Sequence, residues 1–226
     1  PICLGQNAIA NLNGPALPNG SYSLTYDLSG ANNSTANLAT VTITATNGSF
    51  TIPNTLLTNT GVTNITLTLL TNNTTGCTVS GLSITDDFII SPIPSLDVDE
   101  VTINDICIGS DASVEIISLG GLIDGNYQID YSISGANGPS NQSANVVITG
   151  GNGVFTIPSG LLTNTGTTTI TFTGVTNLDT TCSSLLNFSI NFLVNALPDV
   201  NPNEFLIDDI CLGQDAIGVI FNALNL

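Results

Sequence analysis

"GSYSLTYDLSGAN", residues 20–32, sets Tyr22, Leu24, Tyr26 and Leu28 on one parity and Ser23, Thr25 and Asp27 on the other. A period of two marks a strand with one face in a core and one in water, whereas a helix would repeat every 3.6 residues. The phrase returns as "GNYQIDYSISGAN" (125–137), with Tyr127, Ile129, Tyr131 and Ile133 against Gln128, Asp130 and Ser132. "NFSINFLV" (187–194) alternates in the same way, with Phe188, Ile190, Phe192 and Val194 inward. In "VTITATNGSFTIP" (41–53), Asn47-Gly48 reads as a two-residue hairpin turn with both residues at positive φ, and Asn152-Gly153 reads likewise in 146–158.

Outward from these strands, the whole chain repeats. "FTIPNTLLTNTG" (50–61) returns as "FTIPSGLLTNTG" (155–166), and a cysteine phrase occurs three times, at 1–12, 104–117 and 208–221. Cys3, Cys107 and Cys211 are spaced by about 104 residues, and Cys77 returns as Cys182. The reading is a first repeat at 1–97, a joint at 98–105, a second repeat at 106–200, a joint at 201–209 and the start of a third repeat at 210–226. The chain has no Met and reads as a stretch of a longer repetitive protein.

Each repeat offers about seven strand-like runs, in the first near 7–12, 21–28, 37–46, 49–53, 62–70, 77–84 and 87–91. Seven short strands divided by turn signals point to an all-β fold of tandem immunoglobulin-like β-sandwiches, arranged end to end. The prolines of "SPIPSLDVDE" (91–100) and "ALPDVNPNEF" (196–205) read as stiff joints, since proline fixes φ and removes a donor. The stretch 211–226 reads as a first strand whose Ile217, Val219 and Phe221 have no partner sheet within 1–210, to be held by a neighbouring chain or by further sequence.

Composition prunes function. Among 226 residues there are 17 Asp and Glu but no Lys, Arg or His, giving a net charge of −17. No side-chain salt bridge can form, and trypsin has no site. Nucleic acid is excluded as a partner because nothing can displace counterions from phosphates. Anionic membrane surfaces are excluded by the same sign argument, and no run of 18 apolar residues is present to insert in a bilayer. Ser-His-Asp and Cys-His chemistries lack their base, and a phosphate-binding loop lacks its lysine. Only catalysis by paired carboxylates stays open, and no such pair recurs in both repeats. The chain therefore reads as no enzyme, with no catalytic residue and no cofactor site.

Five cysteines fit two pairing schemes. Cys3–Cys77 with Cys107–Cys182 would close loops of about 75 residues and leave Cys211 to a partner farther along the chain. Cys77–Cys107 with Cys182–Cys211 would close loops of about 30. Chain entropy gives about 4.5 against about 3.6 kcal/mol, too close to separate them. The first is favoured because the start of a sandwich's first strand can lie beside a late strand. Either scheme places the protein outside the cytoplasm.

Carboxylates crowd the joints: Asp97, Asp99, Glu100 and Asp105, then Asp199, Glu204, Asp208 and Asp209. They are the candidates for a structural calcium ion between domains; solvation of an exposed joint explains the same residues without a metal. The threonines of "TTTITFT" (167–173) follow from β propensity alone.

The cysteine phrase after a Pro- and Asp-rich joint, "G-x-Y-x-x-x-Y-x-x-S-G-A-N", "F-T-I-P" and the late cysteine together resemble the immunoglobulin-like repeats of large Bacteroidota surface adhesins. Among these it resembles the SprB-type gliding-motility adhesins exported by type IX secretion. The resemblance covers the whole chain and implies a secreted, non-catalytic extender of a bacterial cell-surface adhesin or filament. The partners implied are adjacent repeats of the same chain and like chains in a filament. The alternative is a glycan- or cell-binding module in a protein of the same kind. In this context Asp179-Thr180-Thr181 matches a Bacteroidota O-glycosylation acceptor at Thr180.

Overall fold

The computed structural model of the chain describes residues 1–14, 17–199, 203 and 205–221. They form two compact units: Pro1–Pro94 with Thr176–Ser184, and Ser95–Val175 with Leu185–Leu226.

The strands of the first repeat are β1 (Ile2–Cys3), β2 (Ala8–Asn13), β3 (Gly20–Gly30), β4 (Ser34–Ile43), β5 (Asn47–Ile52), β6 (Gly61–Asn72) and β7 (Thr78–Ser91). One sheet has the order β1-β7-β6-β3-β4, and β2 pairs with β5 in the other. The second repeat has β8 (Val101–Ile103), β9 (Ile106–Cys107), β10 (Ala112–Ile117), β11 (Gly125–Gly135), β12 (Ser140–Ile148), β13 (Asn152–Ile157), β14 (Gly166–Asn177) and β15 (Ser183–Asn195). Its sheets are β12-β11-β14-β15-β9 and β13-β10-β8. In both, the chain runs parallel to the last strand for two residues, Ile2↔Ile90 and Ile106↔Val194, before crossing to the opposite sheet. The fold is all-β and immunoglobulin-like. Beyond it, β16 (Phe205–Ile207) and β17 (Gly218–Ile220) form an antiparallel pair.

The alternation read from the sequence holds. Tyr22, Leu24, Tyr26 and Leu28 are all buried, as are Tyr127, Ile129, Tyr131 and Ile133. Phe192 and Val194 join the second core, with Phe188 and Ile190 packed partly against it. Tyr131 meets Phe155 and Phe172 at ring separations of 5.5 and 6.5 Å, and Phe172 stacks on Phe188 at 4.8 Å. Such contacts add to the burial of large rings, the main source of stability in a chain without ion pairs.

Three expectations need correction. The runs 77–84 and 87–91 are a single strand, β7, whose irregularity against β6 is a register shift between Leu67 and Leu69. The β4–β5 turn is made by Ala45 and Thr46 at φ 49° and 74°, not by Asn47-Gly48, and its counterpart is Gly150-Gly151 at 58° and 78°. Asn47 closes the turn by donating Nδ2 to the Ala45 carbonyl at 3.1 Å. Gly48 lies in the strand, where a Cβ would stand 2.6 Å from Val41 Cγ2 and 2.7 Å from the Thr42 carbonyl oxygen. The Asn-Gly pair thus marks the hairpin but sits one step past its turn.

The third correction concerns the joint at 98–105. Val101–Ile103 is strand β8, paired with β10 through Val114↔Ile103 and Ile116↔Val101. Leu96, Val101 and Ile103 are buried in the second core. The second sandwich therefore starts before Cys107, and the repeat does not begin at its cysteine.

Candidate functional site

The motifs that recur between repeats are spent on holding the fold. In "SGAN", Asn32 donates Nδ2 to the Asn59 carbonyl and to Thr63 Oγ1, both at 2.9 Å, and its Oδ1 accepts from the Asn59 amide at 2.9 Å. Asn137 repeats this with Asn164 and Thr168. Asn59 and Asn164 belong to "LLTNTG", so the two phrases clasp each other. Gly30 and Gly135 turn into the clasp at φ 92° and 86°, where a Cβ would come within 2.7 and 2.6 Å of the Val62 and Thr167 carbonyl oxygens. Tyr22 and Tyr127 donate their hydroxyls to carbonyls four residues back, Pro18 and Ile123, at 2.9 Å each. Burial pushes the Tyr26 and Tyr131 phenols above their ordinary range.

The cysteines pair in neither expected scheme. Cys3 is bonded to Cys182, with Cα atoms 5.5 Å apart, while Cys77, Cys107 and Cys211 are exposed and free. Strand polarity gives the reason. Cys3 lies opposite Ser91 at the far end of β7, and Cys77 directly precedes that strand. Fourteen residues of strand hold the two roughly 40 Å apart, against about 5.5–6 Å for a disulfide. Cys107 and Cys182 are divided by β15 in the same way. The expectation that the first strand begins beside a late strand was right about the strand and wrong about its end.

Cys182 sits in a turn built by Asn177, whose Oδ1 accepts from the Asp179 and Thr180 amides at 2.9 and 3.0 Å. Cys77 follows the same turn at Asn72, which accepts from the Thr74 and Thr75 amides at 2.9 and 3.1 Å. The bridge thus joins the first cysteine of one repeat to the turn cysteine of the next. Thr180, the glycosylation candidate, is half-buried in this turn, and its Oγ1 accepts from the Cys182 amide at 3.4 Å.

The joint carboxylates serve the backbone. Glu100 is buried and forms a capping box with Asp97: Glu100 Oε2 accepts from the Asp97 amide at 2.8 Å, and Oε1 from the Leu119 amide. Asp105 Oδ1 accepts from the Leu193 amide at 2.7 Å. Asp99, Asp199, Asp208 and Asp209 are exposed, and Glu204 lies outside the described residues. Among the described residues no three acidic or thiol groups come together as a metal site.

The open feature of the first unit is one edge of β2. In the second unit β10 lies between β13 and β8, with Val114 and Ile116 fully buried. In the first, β2 has β5 on one side and, among the described residues, no strand on the other. Ala10 and Leu12, which take the places of Val114 and Ile116, are only half-buried. A groove of about 460 Å³ runs along this edge between Ala8, Ala10 and Leu12 of β2 and Ile84, Asp86 and Phe88 of β7, floored by Phe50 and Ile52.

A shallow polar hollow lies on the second unit between Asp130, Asn141, Gln142, Ser143 and Thr173, and the aromatic ring beneath it, Tyr131, is buried. No helix among the described residues is long and apolar enough to cross a membrane.

No family model and no curated protein matches this sequence. Among solved structures, a marsupial T cell receptor is similar over 90% of this chain and 77% of its own, with a TM-score of 0.44 and 12% identity. A trypsin-activated alpha-2-macroglobulin from Escherichia coli is similar over 85% of this chain and 15% of its own, with a TM-score of 0.31 and 11% identity.

Proposed function

We propose that the chain is a non-catalytic extender: repeated immunoglobulin-like modules of an extracellular bacterial surface adhesin or filament. One observation carries the reading. What the two repeats share is scaffold: the Asn32/Asn137 clasp, the Tyr22/Tyr127 hydroxyl bonds, and the Asn72/Asn177 turn. A repeated ligand site would instead preserve exposed groups converging on a concavity, and the positions of Asp130, Gln142 and Ser143 in the polar hollow are held by Thr25, Asn37 and Leu38 in the other repeat. The disulfide suits an oxidising compartment, and a surface without cations suits life outside the cell away from nucleic acid.

The reading assigns no cofactor and no catalytic residue, and its partners are neighbouring repeats and like chains. The glycan-binding alternative lacks a stacking platform. All four tyrosines are buried, and the exposed aromatics among the described residues are Phe205 and Phe221. A glycan array probed with the disulfide-intact protein tests this. No saturable binding is expected, and micromolar saturable binding would overturn the extender reading.

A further inference from the structure

Most asparagine side chains of the first unit are engaged in the fold: Asn32, Asn37, Asn59 and Asn72 each hold backbone groups. Asn11 and Asn13 of β2 are exposed, and their side chains hold nothing among the described residues. They line a cleft of about 630 Å³ with Asn47 and Ser49 of β5 and Thr42 and Thr44 of β4. The hydroxyls of Thr42, Thr44 and Ser49 are likewise without a partner among the described residues. Asn47 donates Nδ2 to the Ala45 carbonyl and keeps its Oδ1 free. No charged side chain and no aromatic ring lines the cleft.

Local structure sets the spacing of these groups. β2 and β5 pair Asn13↔Asn47 and Asn11↔Ser49, and the bridge Thr44↔Asn47 brings β4 to the same end. The polar groups therefore stand in rungs two residues apart, about 6.8 Å along the strands. At the rim, the turn from β4 to β5 holds Ala45 and Thr46 in left-handed backbone, a kind of strain that clusters at functional sites. The second repeat has two glycines in that turn, and it places Glu115, Ile117, Val147 and Val154 at the positions of Asn11, Asn13, Thr42 and Ser49. The same fold thus forms without the polar set.

We propose that this cleft binds an extended, uncharged polypeptide segment of a partner protein, rich in Ser, Thr and Asn. A carboxamide carries a donor and an acceptor side by side, so it meets the C=O and N–H of a peptide chain together. An extended peptide presents those groups to one side every two residues, again about 6.8 Å, in step with the rungs. Walls without charge give an ionic ligand no counter-charge, and walls without rings give a sugar no stacking platform. Ligand side chains that face amides and hydroxyls are themselves polar. A second copy of this chain has a suitable composition but arrives with a net charge of −17, which repels it. The site belongs to one module and goes beyond the extender reading, which stands or falls on glycan binding and not on this peptide.

The test titrates the full, disulfide-intact, isotope-labelled chain with the blocked heptapeptide acetyl-Thr-Asn-Thr-Ser-Thr-Asn-Thr-amide and follows backbone amide resonances. Those of residues 11–13, 42–44 and 47–49 should shift saturably at roughly millimolar peptide, as neutral hydrogen bonds allow. N11E/N13I/T42V/S49V takes the residues that the second repeat carries at these positions and should weaken binding at least ten-fold. N11A/N13A, which only truncates two exposed side chains, should weaken it too, and circular dichroism checks the fold of both variants. Resonances that do not move overturn the proposal, as does a response that both variants retain. A stronger response of the same residues to cellohexaose would assign the cleft to a glycan and overturn it. Shifts of these residues on dilution of the chain alone would assign it to a second copy, with the same consequence.

Discussion

Asn137 and Thr168, 31 residues apart in sequence, meet in the interior, with Nδ2 2.8 Å from Oγ1. Asn32 and Thr63 do the same at 2.9 Å in the other repeat. Each asparagine spends its amide on three bonds, so removing it strands a buried hydroxyl and the backbone groups of Asn164 or Asn59. N137A and N32A should each cost about 3 kcal/mol, measured by urea denaturation. Asn→Asp should cost at least as much, because a carboxylate cannot donate to the threonine. A loss under about 1 kcal/mol would show that the clasp is dispensable.

The β4–β5 turn offers a gain. Ala45 and Thr46 hold left-handed backbone that the second repeat gives to two glycines. Replacing both residues with glycine should raise stability of the first unit by about 1 kcal/mol, as relief of strain outweighs the added freedom of the unfolded chain. The converse change, G150A/G151A, should lower that of the second. Thermal melts of the two variants should move in opposite directions.

Gly48 has a different constraint. G48A forces a Cβ to within 2.7 Å of the Thr42 carbonyl oxygen as well as against Val41, whereas at Gly153 the equivalent carbonyl oxygen, that of Val147, stands 3.2 Å away and the nearest atom is the far end of Ile148. G48A should therefore be the more destabilising of the two alanine variants, and equal midpoints in urea would contradict the backbone argument.

The bridge from Cys3 to Cys182 closes a loop with a sequence separation of 179. Chain entropy assigns such a loop about 5 kcal/mol. C3S and C182S should each lose that amount, and the double variant should lose no more than either one. Non-reducing digestion with a broad protease, since trypsin cannot cut, should release one linked peptide pair containing Cys3 and Cys182.

Alkali should unfold the protein through two phenols. Burial raises the pKa of Tyr26 and Tyr131, so the folded state keeps protons that the unfolded chain releases near pH 10. Their contribution is complete below that pH and is lost as pH rises through the folded values. Melting temperatures should fall between pH 10 and 12, and Y26F/Y131F should flatten the fall. An equal fall in the variant would place the alkaline sensitivity elsewhere.

The strands were legible because a two-residue period is written into each one, from Tyr22 to Leu28 and from Tyr127 to Ile133. The repeat was legible because whole phrases recur. What escaped was polarity and exact position. Sequence order places Cys3 near a late strand but is silent on which end of β7 it meets. The prolines before Asp97 hid a strand of three residues, Val101–Ile103, too short for alternation to declare itself. Asn47-Gly48 has the letters of a turn, yet the glycine is there to let Val41 approach. The groove was legible in no single repeat, since it shows only when Ala10 is compared with Val114.

The bridge between Cys3 and Cys182 also decides how the molecule answers tension. A pull applied at the two ends of the chain enters at residue 3 and leaves at residue 182 through two sulfur atoms, bypassing every peptide bond between them. Both clasps and all of β2 to β14 lie on the bypassed stretch, about 600 Å of contour that no load can draw out while the bond is intact. Reduced, the same chain would pay out that length as its sandwiches gave way. One covalent bond thus separates a tether that can lengthen only beyond residue 182 from a shock absorber.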